Sequence, residues 1–171
     1  MSGSPFSVRD DNAPIPNLEM IIGKLPILAV CYGAQYLAQL NGGQVLPSQI
    51  REYGRANLSY IENSNILLSG VKEGSQVWMS HGDTISDLPN NYETITSTED
   101  VQVAGYQITK ENTFAIQFHP EVVHTEKGIE ILKNFVLKIC DAKQDWSMEQ
   151  FVENSIENIS KLDGNVLCGV S

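Results

Sequence analysis

The hydrophobic pattern divides the chain into a strand, a helix, a series of short strands and two further helices. Leu25–Val30 form one continuous apolar run, which is typical of a central parallel strand covered on both faces. Gly33–Leu40 carry apolar residues at helical spacing, and Asn41-Gly42-Gly43 predict the end of that helix. Turn residues separate five further segments that we interpret as strands: Asn57–Ile61, Gln76–Ser80, Glu93–Ser97, Val101–Ile108 and Phe114–Phe118.

Two amphipathic helices are predicted in the last third of the chain. Thr125 is a candidate N-cap for the first, and "SMEQ", which starts at Ser147, is a capping-box pattern for the second. The apolar stripe of the first comprises Ile129, Leu132, Phe135, Val136 and Ile139. The inner side of the second comprises Phe151, Ile156, Ile159 and Leu162, and a short strand, Val166–Cys168, is predicted after it. This alternation of helices and strands indicates the α/β class.

Composition and charge restrict the function. With 171 residues, 42% of them hydrophobic, the chain can form one globular domain with a core. Its net charge of −10 argues against nucleic acid or an anionic membrane as a partner. We see no apolar stretch of roughly 18 residues and no leader pattern, and we expect a cytoplasmic protein. Because Cys31, Cys140 and Cys168 are widely spaced, they predict neither disulfides nor a metal site.

Cys31 is a candidate nucleophile because it stands where the apolar strand meets the first helix. A strand-to-helix turn this tight requires small residues two positions before and after it, and Ala29 and Gly33 occupy those positions. The N-terminus of the following helix would stabilise a thiolate and supply backbone donors for an oxyanion. The alternative is a buried structural cysteine.

His119 is the candidate base for this thiol. It follows a predicted strand, and Pro120 favours an extended conformation for it, so that Glu121 would project to the same side. A carboxylate in that position can hold the imidazole in the tautomer that faces the thiol. Alone, His119 could equally be a core histidine and Glu121 a solvated surface charge. Together with Cys31, they form a candidate catalytic triad.

The motifs around these residues resemble the class I glutamine amidotransferases. "AVCYGAQ" and "QFHPEVVHT" carry the resemblance, and "WMSHGD" (Trp78–Asp83) narrows it to the GMP synthetase branch. It extends from "SGSPFSV" to "FVLKIC", and "NVLCGVS" is similar to the approach to a phosphate-binding loop, of which only Ser171 is present. The resemblance implies a flavodoxin-like α/β fold, a mixed sheet flanked by helices. We expect its N-terminal strands to be absent from this chain.

The resemblance also implies roles for individual residues. Cys31 would attack the amide carbon of L-glutamine, with His119 and Glu121 completing the triad. The backbone N–H of Tyr32 would be one oxyanion donor, and the second would come from Ser4, where the family normally has a glycine. His81 could contact the substrate or could shape the "SHGD" loop. The positions implied in glutamine binding are Ser4, Tyr32, Gln35, Ser80, His81, Gly82 and Asp83. Asp83 would pair with the ammonium group, while backbone donors would hold the carboxylate.

The domains and partners follow from the same resemblance. Residues 1–142 would form an N-terminally incomplete glutaminase domain, and residues 143–171 a linker helix and the start of an ATP pyrophosphatase domain. The glutaminase step would need no cofactor, and ATP with Mg²⁺ would act only in the synthetase domain. The ammonia from the glutaminase domain would aminate xanthosine monophosphate to GMP. A homodimer of the full-length enzyme is left open.

Three alternatives remain at this point. An amidotransferase subunit of another synthase is disfavoured by the "MSHGD" and "HPEVVHT" motifs. A hydrolase or peptidase with the same turn is disfavoured by Gln35 and the "SHGD" segment, which suit free glutamine. A catalytically silent fragment is compatible with every motif, because truncation affects the scaffold and not the triad.

Overall fold

A computed structural model describes residues 1–164 and residue 167, with the side chains of residues 49–52 excepted. Val166 and Cys168 of the predicted last strand, and also Ser171, lie outside the described residues. The chain divides into two compact units, Met1–Asp141 and Ala142–Ser171.

The first unit is built on a six-stranded mixed sheet. Its strands are β1 (Ile27–Val30), β2 (Gln44–Ile61), β3 (Gln76–Asp87), β4 (Tyr92–Thr98), β5 (Gly105–Ile108) and β6 (Thr113–Ile116). They lie in the order β1-β6-β5-β4-β2-β3. β1 pairs with β6 in parallel, with Leu28 opposite Phe114, and the other neighbouring strands are antiparallel. The helices are α1 (Tyr32–Leu40), α2 (Gly128–Lys133), which a π-helical segment (Asn134–Ile139) continues, and α3 (Met148–Ser160).

Helices cover both faces of this sheet. Successive residues of a strand point to opposite faces, so a single strand contributes side chains to both sides. On β6, Phe114 and Ile116 belong to the core cluster that includes Ile131 of α2. Ala115, between them, belongs to the second cluster, which includes Leu37 of α1. The predicted α/β class is therefore confirmed.

The strand β1 lies at the edge of the described sheet, and the prediction of a central strand was wrong on this point. Met1 runs along its other side: the Met1 ammonium donates to the Leu28 carbonyl at 2.7 Å, and the Val30 N–H donates to the Met1 carbonyl at 3.0 Å. A continuous run of apolar residues indicates that both faces of a strand are buried. It does not show whether the edge of the strand pairs with another strand or with a single residue such as Met1.

The "SHGD" segment lies within a strand, and its assignment to a loop was wrong. β2 and β3 are antiparallel, with Gln44 opposite Asp87 at one end and Asn57 opposite Gln76 at the other, and both are longer than predicted. The register between them shifts after Gln44 and again after Pro47. Backbone hydrogen bonds extend this pair through residues whose side chains are polar, so the hydrophobic pattern does not reveal it.

The helix after the sheet begins later than predicted, and its apolar stripe is confirmed only in part, since Phe135 and Ile139 pack against the core. Lys127, not Thr125, occupies the N-cap position of α2. A Cβ atom on Gly128 would lie 1.9 Å from the Pro120 carbonyl oxygen, so this close backbone contact restricts the rotation of the helix. As a result, Ile131 is fully buried, while Ile129 in the predicted stripe is exposed.

In the second unit, the predicted start of α3 is confirmed. The Ser147 hydroxyl accepts a hydrogen bond from the Gln150 N–H at 3.1 Å. The predicted inner side of this helix was wrong, because no α3 residue is buried, and Phe151, Ile156 and Ile159 are all exposed. Within this unit, the described residues form no other helix or strand that could cover the apolar face.

We expect Asn134→Ala to lower the free energy of unfolding by about 2–4 kcal/mol. The buried Asn134 amide donates to the Leu67 carbonyl at 2.9 Å and the Ser69 carbonyl at 2.7 Å, and both acceptors would lose a donor. Urea denaturation measures the loss. The matched control is Asn91→Ala, since Asn91 is exposed and accepts from Thr109 through its backbone. Equal losses in the two variants would contradict the prediction.

Candidate active site

Cys31 occupies a sharp turn between β1 and α1. Its backbone has φ 52° and ψ −111°, a conformation that residues with a side chain rarely adopt. The Cys31 N–H donates to the Ile116 carbonyl of β6 at 2.9 Å, and its carbonyl accepts from Ala34 at 3.0 Å as the helix begins. The side chain is 5% exposed. The structure therefore has the tight turn that the sequence predicts at this cysteine.

The small residue at position 33 has a different contact from the one expected. A Cβ atom on Gly33 would lie 2.8 Å from the Cβ of Met1. Gly33 therefore makes room for the start of the chain, which runs beside β1, while Ala29 is fully buried in the strand itself.

His119 is fixed by its backbone just beyond β6. Its N–H donates to the Trp78 carbonyl at 2.9 Å, and its carbonyl accepts from the Thr125 hydroxyl. The imidazole Nδ1 lies 2.6 Å from Glu121 Oε1. Glu121 reaches it from a turn, not from an extended segment, and its carboxylate is half-exposed.

Cys31 and His119 both lie beside Gly3. A Cβ atom placed on Gly3 would be 3.2 Å from His119 Cε1 and 3.8 Å from Cys31 Sγ. A hydrogen bond with Cys31 is the largest contribution that raises the pKa of His119, to about 9, and Glu121 raises it further, while burial lowers it. A protonated imidazole beside the sulfur stabilises a thiolate, the nucleophilic form of cysteine.

Ser4 takes the place of the expected glycine without backbone strain. Its φ is not positive, so the position does not require a glycine. The Ser4 hydroxyl accepts a hydrogen bond from the Phe6 N–H at 3.3 Å, which stabilises the turn. Gly3, by contrast, is next to the imidazole, where a side chain would be crowded.

All of the site residues predicted from the sequence line one cleft of about 1110 Å³. They are Ser4, Cys31, Tyr32, Gln35, Ser80, His81, Gly82, Asp83, His119 and Glu121. They come from the N-terminal loop, the β1–α1 turn, the first turn of α1, β3 and the segment after β6.

Alternation along β3 gives its site residues two environments. His81 and Asp83 are buried, whereas Ser80 and Gly82 are exposed. The Ser80 carbonyl lies 3.8 Å from Cys31 Sγ. Burial lowers the pKa of His81, which favours a neutral imidazole. Because His81 is in a strand, the alternative of a turn histidine was wrong.

Gln35 anchors β3 to the floor of the cleft. Its Nε2 donates to the Asp83 carbonyl at 2.9 Å and to Gln117 Oε1 at 3.1 Å. Gln117 Nε2 in turn donates to the Val103 carbonyl at 2.7 Å. The sequence analysis missed Gln117. A polar residue directly after an apolar strand and two residues before His119 could have indicated a position in the site.

The Asp83 carboxylate has two partners that the sequence analysis also missed. Arg9 Nη2 lies 2.8 Å from Asp83 Oδ1, and the Ser7 hydroxyl donates to Oδ2. The side chains of Arg9 and Asp83 are 42% and 9% exposed, respectively. Both missed residues belong to the N-terminal loop, where no periodicity indicated which side chains point inward.

Metal ligands and membrane spans are both absent from the part of the chain that the structure describes. No group of three His, Cys, Asp or Glu side chains there could hold a metal ion. None of the helices in that part is long and apolar enough to cross a membrane. Cys140 is exposed and reduced, and Cys168 lies outside the described residues.

Comparison with protein families finds that residues 1–139 match the glutamine amidotransferase class-I family. Over its whole length the chain is 50% identical to a protein named GMP synthase [glutamine-hydrolyzing] from Bacteroides fragilis. It is 52% identical to the protein of that name from Christiangramia forsetii. In both cases, the chain spans 34% of the relative's length.

Solved structures show the same fold. A putative GMP synthase subunit from Thermoplasma acidophilum has a TM-score of 0.64 and 32% identity, over 80% of this chain and 61% of that one. A glutamine amidotransferase from Thermotoga maritima, 21% identical, has a TM-score of 0.52 over 80% of this chain and 50% of that one. The predicted amidotransferase fold is thus confirmed. With its family match over residues 1–139, the chain belongs to the class I glutamine amidotransferase family.

Proposed function

We propose that this chain hydrolyses L-glutamine with a triad of Cys31, His119 and Glu121. The observation that carries the proposal is the proximity of Cys31 and His119, which both lie beside Gly3 and line one cleft. The carboxylate 2.6 Å from Nδ1 orients the imidazole so that its other nitrogen is available to the thiol.

In the first half of the reaction, His119 holds the proton of the thiol, and Cys31 Sγ forms a bond to the side-chain amide carbon. The carbonyl electron pair moves to the oxygen. The C–N bond then breaks as His119 transfers its proton to the leaving nitrogen, which gives ammonia and a glutamyl thioester. The pKa of about 9, raised chiefly by the contact with Cys31, keeps the imidazole protonated near neutral pH in the free site, so that a proton is available for this transfer.

Backbone donors stabilise the oxyanion. Tyr32 is the first residue of α1, where N–H groups have no partner within the helix. The second donor is the N–H of Ser4, whose backbone is free of left-handed strain.

In the second half, water replaces ammonia. His119 takes a proton from the water as its oxygen attacks the thioester carbon, and the C–S bond breaks. Glutamate leaves, and Cys31 with its protonated partner is restored.

The remaining residues of the cleft bind the substrate. Asp83 pairs with the α-ammonium group, and Gln35 fixes the strand that carries Asp83 through its backbone carbonyl. Ser80 and Gly82 line the cleft and supply backbone groups to it, and the buried His81 contributes a neutral imidazole to the same lining.

We further propose that the ammonia is used for GMP synthesis in a longer enzyme. The proposal is supported by relatives about 50% identical that carry this activity in their names. Residues 1–142 would be the glutaminase domain. Residues 143–171 would lead into an ATP pyrophosphatase domain, which uses ATP and Mg²⁺ to activate xanthosine monophosphate.

Labelling with a glutamine-analogue diazo-ketone, followed by peptide mass mapping, tests the site. We expect one adduct, on Cys31, which glutamine prevents and Cys31→Ala abolishes. Exposed Cys140 is the internal control for general thiol reactivity. Equal labelling of Cys31, Cys140 and Cys168 without protection by glutamine would contradict the proposal.

Glu121→Gln should slow the labelling of Cys31 by about 100-fold, because the amide no longer holds the imidazole in the reactive tautomer. Glu99→Gln is the matched control, since Glu99 is exposed in the turn after β4. The rate of adduct formation gives the comparison. Similar rates for the two variants would exclude Glu121 from the triad.

The titration of His119 should depend on Cys31. The pKa of His119 is about 9 in the folded chain, above its ordinary value of 6.5. Protonation of His119 therefore stabilises the fold fully below pH 6.5, and this contribution is lost between pH 6.5 and 9. Imidazole NMR signals should give a midpoint near 9 that falls in Cys31→Ala and, by less, in Glu121→Gln. Cys140→Ala should leave it unchanged. A midpoint that stays near 9 in Cys31→Ala would refute the contact.

A further inference from the structure

Arg9 is held at the rim of the cleft by a short, anchored turn. The Ser7 N–H donates to Asp10 Oδ2 at 2.9 Å, and the Arg9 N–H donates to the Ser7 hydroxyl at 3.1 Å. Val8, between them, is buried in the core beside α1. The turn therefore presents the guanidinium to the cleft in a defined position.

The ion pair between Arg9 and Asp83 alters what Asp83 can recognise. A carboxylate that already accepts from a guanidinium and from the Ser7 hydroxyl no longer presents an isolated negative charge. The pair presents a positive and a negative group side by side. That arrangement is complementary to a zwitterion, whose ammonium and carboxylate stand on one carbon, rather than to a simple cation.

Arg9 has the donors for a second carboxylate. Its contact with Asp83 engages Nη2, whereas a guanidinium carries five N–H donors in a planar fork. The Arg9 side chain is 42% exposed, so a ligand in the cleft can reach it.

The distance between Ser80 and Asp83 along β3 matches the length of a glutamine molecule. Asp83 follows Ser80 by three residues, which is roughly 10 Å along a strand. The Ser80 carbonyl lies 3.8 Å from the Cys31 sulfur. Glutamine has three carbon–carbon bonds between its amide carbon and its α-carbon, so with hydrogen bonds at its head group it can bridge the sulfur and Asp83.

We propose that Arg9 binds the α-carboxylate of glutamine while Asp83 binds the ammonium group, which makes Arg9 a specificity residue for amino acids with a free carboxylate. This proposal rests on the proposed glutaminase function. It adds a charged partner for the carboxylate to the backbone donors expected from the sequence.

The test measures how strongly two ligands protect Cys31 from alkylation by iodoacetamide in the intact chain, by mass mapping of its peptide. L-glutamine carries both head-group charges, and L-glutaminamide carries the ammonium group alone. We compare the unsubstituted chain with Arg9→Met, with Arg9→Lys, which keeps a charge but not the fork, and with Arg55→Met. Arg55 is an exposed arginine of β2 outside the cleft lining. A thermal unfolding scan checks that each variant folds.

We expect the half-protecting concentration of glutamine to rise about 10- to 100-fold in Arg9→Met and by less in Arg9→Lys. That of glutaminamide should change less than about threefold in either variant. Arg55→Met should leave both values unchanged.

Two results would overturn the assignment of Arg9 while leaving the proposed function intact. Equal weakening of both ligands in Arg9→Met would mean that Arg9 only positions Asp83. Stronger protection by glutamine in that variant would mean that Arg9 competes with the ammonium group. If neither ligand protects Cys31 in the unsubstituted chain, the cleft does not bind glutamine, and the proposed function fails together with this inference.

Discussion

The parallel pairing of β1 with β6 is the constraint on which the site depends. Val30 stands opposite Ile116, so Cys31 begins its turn where β6 ends, and its N–H binds the Ile116 carbonyl. A left-handed conformation at a residue with a side chain costs about 1–3 kcal/mol, and the strand pair and the helix start together hold it in place. The same register puts His119 within reach of the sulfur, because it follows Ile116 by only three residues.

A buried polar network gives the cleft a rigid floor. The Gln35 amide joins the backbone of β3 to Gln117, and Gln117 joins it to the Val103 carbonyl. Buried polar groups of this kind are stable only when they are paired, so each hydrogen bond fixes the position of the next residue. The network ends under Asp83, whose carboxylate then orders the N-terminal loop through Arg9. A scaffold of this kind fixes the positions of the groups that line the cleft.

Several predictions from the pattern succeeded because they depend on local chemistry. The helix predicted over Gly33–Leu40 differs from α1 by one residue at its start, and the Ser147 cap is present. The residues of the candidate site were found through motifs, and all of them line one cleft. Errors occurred where pairing or packing overrode periodicity: "SHGD" extends a long strand, and the close contact between Gly128 and Pro120 sets the start of α2.

The sequence by itself determined the strand–helix junction at Cys31, the class of the fold and the candidate members of the site. These follow from short-range patterns, since a buried strand, a helix stop and a small residue beside a turn each leave a local signature. The tertiary structure decided which loop residues face the cleft, and it brought Arg9 and Ser7 to Asp83, more than 70 positions away. No periodicity encodes such a contact, because an irregular loop has no repeating face and its side chains are oriented only by what they meet across the fold.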